Sequence, residues 1–79
     1  MKYNKYKIED IEIGGEVYFD DVYSGNILMQ SNYDEYWTVH GKTGNTVFVN
    51  LRQEHWWSLD SDQIRQYNKP VSQNTNKDY

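Results

Sequence analysis

Glu35-Tyr36-Trp37-Thr38-Val39-His40 and Thr46-Val47-Phe48-Val49-Asn50-Leu51 are two alternating runs on either side of Gly41-Lys42-Thr43-Gly44-Asn45. Both runs are rich in β-branched and aromatic residues, and a glycine-containing loop between such runs predicts a β-hairpin. Side chains alternate between the faces of a strand. Trp37, Val39, Val47, Val49 and Leu51 are therefore expected to face a core. Tyr36, Thr38, His40, Phe48 and Asn50 are expected to share the opposite face.

Moving outward, Arg52-Gln53-Glu54 reads as a turn and His55-Trp56-Trp57-Ser58-Leu59 as a third strand, with Trp57 and Leu59 inward and Trp56 outward. On this reading truncation of Trp57 unfolds the domain, whereas Trp56→Ala spares folding and damages binding. Asp60-Ser61-Asp62-Gln63 resembles a capping box that opens one helical turn, and Ile64-Arg65-Gln66-Tyr67 closes as a last short strand. Towards the N-terminus, Gly14-Gly15 interrupts any regular element and Glu16-Val17-Tyr18-Phe19-Asp20 follows as a strand, with Val17 and Phe19 on one face and Tyr18 on the other. Residues 21–34 carry turn signals at Ser24-Gly25-Asn26 and Ser31-Asn32-Tyr33-Asp34 around the apolar Ile27-Leu28-Met29. They read as a long loop with a brief strand.

The expected fold is mainly β. Ile-Gly-Gly-Glu-Val at 13–17, the central hairpin, and Trp-Trp-Ser-Leu-Asp-Ser-Asp-Gln-Ile at 56–64 together resemble the SH3-like family in its broad sense, with its Tudor, KOW and small bacterial and phage barrels. The resemblance implies a five-stranded barrel over residues 11–67, with one short helical turn before the last strand. Residues 1–10 are expected to form a flexible basic arm and 68–79 a disordered polar tail. Too little chain follows Trp57 for the proline-peptide site of eukaryotic SH3 domains to be implied. The Asn-, Tyr- and Lys-rich usage resembles that of phage or mobile-element proteins.

Seventy-nine residues supply one core. There is no cysteine, so thiolate zinc sites and disulfides are excluded. With no secretory signal and no apolar run long enough for a membrane span, a cytoplasmic location is expected. The net charge of −4 is unevenly spread. Residues 1–8 hold Lys2, Lys5 and Lys7 with no acid, whereas residues 9–35 hold eight carboxylates with no Lys or Arg. Phosphate binding needs a concentrated positive face. Nucleic acid is therefore disfavoured, and a protein partner with a basic surface is favoured.

The residues do not assemble into a catalytic site. Gly41-Lys42-Thr43 lacks the earlier glycine of a phosphate-binding loop, since Tyr36 stands there, and it falls in a hairpin. His40 and His55 have no convincing metal co-ligands. Asp20 and Asp21 are adjacent and should point apart, and Asp60 is better explained as a cap. No serine sits in a nucleophile elbow. No enzyme, cofactor or metal is expected. Tyr18, Tyr36, Phe48 and Trp56 lie on outward positions of neighbouring strands. With Asp20, Asp21, Asp34 and Glu35 they form the candidate partner-binding set of an interaction module, one form of which is an inhibitor of a host or defence nucleic-acid-binding protein. The alternatives are a single-stranded nucleic-acid accessory barrel and a homo-oligomeric structural protein.

Overall fold

The computed structural model describes residues 6–70. The first five residues of the expected arm and residues 71–79 of the expected tail lie outside that range. Seven strands run in order: β1 Glu16–Phe19, β2 Val22–Ser24, β3 Ile27–Gln30, β4 Trp37–Thr43, β5 Thr46–Leu51, β6 His55–Asp60 and β7 Ile64–Asn68. Short 3-10 turns occupy Ile8–Asp10 and Ser61–Gln63. Five strands pair in the order β6-β5-β4-β1-β7, and β2 with β3 makes a separate two-stranded sheet. The protein is thus mainly β, and neither sheet closes into a barrel.

Period-two burial explains the large sheet. Val17 and Phe19 of β1, Trp37 and Val39 of β4, Val47, Val49 and Leu51 of β5, Leu59 of β6 and Ile64 of β7 are all buried, and Ile11 joins them from the preceding chain. Trp37 is the largest of these fully enclosed side chains and meets Phe19 edge to face at 5.3 Å between ring centres. Trp57 points the same way but is only half-buried. The reason is its place on β6, an outermost strand with no neighbour to cover its far side. Trp37, and not Trp57, is the tryptophan on which the core closes.

Three local features depart from the sequence reading. The central hairpin turns on Gly44-Asn45 alone, because β4 and β5 stay paired out to Thr43 and Thr46. Gly44 has a φ of 57°, a value that suits glycine at the first position of a two-residue turn. Next, the register slips between Val39 and Gly41, so His40 is the extra residue of a bulge. The slip changes which side later residues face and brings Lys42 level with buried Val47. Its Nζ donates to the carbonyls of Ile8 (2.9 Å) and Ile11 (2.7 Å). Finally, Asn50 is buried against expectation, with Oδ1 accepting from the Gln53 amide at 2.9 Å in the β5–β6 turn.

Those Lys42 bonds also bear on the N-terminal arm. Residues 6–10 lie on the sheet: Ile8–Asp10 forms a 3-10 turn, Ile8 is partly buried against the core, and the Tyr6 ring meets Tyr67 edge-on at 6.0 Å. The Tyr67 hydroxyl accepts from the Glu12 amide at 2.9 Å. Gly14 and Gly15 tie this segment to β4, with Gly14 N donating to Val39 O (2.8 Å) and Val39 N donating to Gly15 O (2.9 Å). A Cβ on Gly15 would come within 2.7 Å of the Tyr67 ring and 2.9 Å of the Asn68 carbonyl. Only glycine lets the entering chain lie this close to β7. Asp60 and Gln63 form the expected capping box before β7, and Gln63 Oε1 accepts from the Asp60 amide at 2.9 Å.

Candidate functional site

The segment between β1 and β4 is a structured hairpin, not a long loop. β2 and β3 pair antiparallel around Gly25-Asn26, and Gly25 takes the left-handed φ of 63°. At its root, one residue gathers most of the polar contacts. Asn32 Nδ2 donates to Phe19 O (2.7 Å), and its backbone amide donates to Asp21 Oδ1 (2.8 Å). Its Oδ1 accepts from the Asp34 amide at 2.7 Å. Its carbonyl accepts from the Trp37 indole N–H at 3.0 Å and from the Glu35 amide at 3.1 Å. Tyr33 and Asp34 follow with φ of 54° and 55°, so the chain turns sharply through two left-handed residues before entering β4. The hairpin is bolted to the buried Trp37 and to the end of β1.

Each of the four predicted carboxylates has a partner within the chain. Asp20 pairs with Arg65, and Glu35 pairs with Arg52 at 2.6 Å. Asp21 accepts from Asn32, and Asp34 Oδ1 accepts from the Tyr18 hydroxyl at 3.1 Å. These contacts orient the acids without burying them: Asp20 is 66% exposed and Glu35 46%. The bond to Asp34, aided by partial desolvation and the Asp34 charge, holds the Tyr18 phenol above its ordinary pKa. Glu35, through its hydrogen bond and its charge, raises the Arg52 guanidinium.

The predicted aromatics fall into two groups. Tyr18 and Tyr36 lie 5.7 Å apart, and the Tyr36 hydroxyl donates to Gln66 Oε1, which joins β4, β1 and β7 across the outer face. Farther along, Trp56 meets the bulged His40 edge to face at 5.1 Å, and His40 meets half-buried Phe48 at 6.4 Å. Trp56 is 55% exposed, so the outward placement of the first tryptophan of the tandem holds. Tyr18, Asp34 and Tyr36 are brought together, as are Phe48 and Trp56. The two groups occupy different parts of the sheet, and no ring contact joins them among the described residues.

Sequence reasoning missed the hairpin itself. Tyr23, Ile27, Leu28 and Met29 are all largely exposed, with Ile27 at 66%. The run Ile27-Leu28-Met29 was legible as apolar but read as part of a long loop, whereas the two-residue turn makes it one strand of a hairpin whose apolar side chains stand exposed. Tyr33 was missed as well. Its ring lies 4.7 Å from His55 and stacks on Trp37 at 6.2 Å, capping the buried tryptophan from outside. A hollow of about 260 Å³ opens between the start of β2 and the second 3-10 turn. Phe19 and Leu59 line it together with Asp20, Asp21, Asp62 and Arg65. It is acidic, yet among the described residues no three His, Asp or Glu side chains converge to hold a metal ion. No described helix is long and apolar enough to cross a membrane.

The arrangement sets exposed carboxylates beside exposed aromatic and apolar side chains. No protein-family model matches the chain, and neither does any curated protein or solved structure.

Proposed function

We propose that the protein is a non-enzymatic binding module that recognises a protein partner with a basic surface. One observation carries this reading. Large apolar and aromatic side chains stand in solvent beside a stretch of chain, residues 9–35, that holds eight carboxylates and no Lys or Arg. Exposed apolar surface mixed with one sign of charge is what a complementary protein surface buries. Tyr18, Asp20, Asp21, Asp34, Glu35, Tyr36, Phe48 and Trp56 are the contact set. The hydrogen bonds and ion pairs of Tyr18, Asp20, Asp21, Asp34, Glu35 and Tyr36 fix side-chain geometry in advance, which lowers the ordering cost of binding. An inhibitor that occupies the basic groove of a nucleic-acid-binding protein is one specific form of this function.

The strand order β7-β1-β4-β5-β6, the hairpin after β1 and the 3-10 turn before β7 favour the SH3-like assignment. That scaffold commonly serves as a platform for contacts, and its function lies in the surface grafted onto it.

Direct binding of single-stranded nucleic acid is the competing reading, through stacking on Trp56, Tyr18 and Tyr36 and the N-terminal lysines. Anisotropy of a fluorescein-labelled single-stranded oligonucleotide, titrated with the full chain at low and at physiological salt, separates the two. The protein-partner reading predicts no rise at either salt. A rise at low salt that decays as salt increases overturns it in favour of nucleic acid.

A further inference from the structure

We propose that the β2–β3 hairpin is the anchor of the partner contact, a wedge that seats in an apolar groove whose rim carries Lys or Arg. This inference rests on the protein-binding reading above and adds the element that binds and the shape it requires. Tyr23 and Leu28 are directly opposite one another in the ladder and share one side of the hairpin. Ile27 is paired with Ser24, one position along, so it presents to the other side. With apolar side chains exposed on both sides, a flat patch covers only half of them. A groove covers all.

The hairpin root selects the rim. Asp20 and Asp21 lie just before β2, and Asp34 and Glu35 lie between β3 and β4, so carboxylates stand on both chains at the root of the wedge. Arg65 and Arg52 answer Asp20 and Glu35, while among the described residues Asp21 and Asp34 accept only from an amide and a phenol. A net negative collar remains at the root of the apolar hairpin. A second copy of this chain would bring an identical collar against it, and like charges in one interface oppose each other. A cationic rim is attracted instead. The Asn32 contacts hold the wedge in place before binding.

The test uses amide chemical shifts of the full chain. The probes are a designed two-helix hairpin of Leu and Lys that leaves a Leu-lined groove with Lys rims, its Leu/Glu counterpart, and a Ser/Lys peptide that keeps the charge without the apolar groove. Saturable shifts at Tyr23, residues 27–29 and Asp20–Asp21 with the Leu/Lys probe alone are expected. The double variant Ile27→Ser, Met29→Ser should weaken that binding ~10-fold or more, as loss of central apolar anchors does, with its melting temperature unchanged. Ile13→Ser, an exposed apolar position outside both the hairpin and the contact set, should bind as wild type. Equal shifts from the Ser/Lys peptide overturn the wedge and leave only charge attraction. Shifts confined to Trp56, Tyr18 and Tyr36 also overturn it, while the protein-binding reading survives. No shifts with any peptide count against both. A concentration-dependent doubling of mass that the double variant abolishes assigns the hairpin to self-association and overturns the proposal.

Discussion

Trp37 and Trp56 lie two strands apart and differ in every property that matters for stability. Trp37 is fully enclosed, touches Phe19, and donates its indole N–H to Asn32 O. Trp37→Ala removes the largest core side chain and a hydrogen bond at once, an effect of about 3–5 kcal/mol. A domain of this size has only a few kcal/mol to lose. Circular dichroism should therefore find Trp37→Ala unfolded at room temperature and Trp56→Ala melting within a few degrees of wild type. Tyr18 gives a pH signature. Its phenol is held above the ordinary value by the bond to Asp34, so the protonated form is favoured in the folded state. That contribution is present below pH about 10 and is lost as pH rises through the raised value. Melting temperatures of wild type and Tyr18→Phe, compared from neutral to alkaline pH, should differ by a constant amount and then converge. A gap that widens with pH would place the bond elsewhere. At this scale the sequence was legible wherever alternation ran unbroken, as it did for Val17, Phe19, Val47 and Val49. It misled at Asn50, whose buried side chain accepts from the Gln53 amide in the β5–β6 turn. It misled again at Trp57, where strand alternation gave the direction and edge position set the depth.

The elements differ in what holds them. β4 and β5 are joined by a ladder from Thr38↔Asn50 to Thr43↔Thr46, and period two sufficed to find them. The β2–β3 hairpin has no buried face to enforce its register, and its local sequence carried too few alternating polar residues to reveal it. Its stability comes from Gly25-Asn26 at the tip and Asn32 at the root. Asn32→Ala removes the part-buried bond to Phe19 O and the exposed one accepted from the Asp34 amide. A loss of about 1–3 kcal/mol is expected in urea unfolding followed by tryptophan emission. An unchanged midpoint would show that the hairpin root is held by other contacts. The bulge at His40 was equally hidden from alternation, because one extra residue leaves composition untouched while reversing the facing of everything after it. That reversal places Lys42 over the Ile8–Ile11 carbonyls and explains why residues 6–10, read as a free arm, lie on the sheet.

At the scale of the molecule, one core of ten apolar residues among those described supports a sheet whose outer described strands, β6 and β7, do not pair with each other. The mainly β class and the chain order of all five strands of the large sheet followed from turn residues and alternation. The separation of the candidate site into a Tyr18–Tyr36 group, a Trp56–His40–Phe48 group and an apolar hairpin did not, since it depends on which strands become neighbours in space. The functional account requires the hairpin to be a built part of the scaffold that holds its apolar side chains out, not a slack loop that shelters them. Amide hydrogen exchange of the free full chain across residues 20–36 measures this directly. Ladder amides of β2 and β3 should exchange at least ~10-fold more slowly than an unstructured chain, because they open only against the bonds at the hairpin root. Exchange at the unprotected rate throughout β2 and β3 would contradict the account.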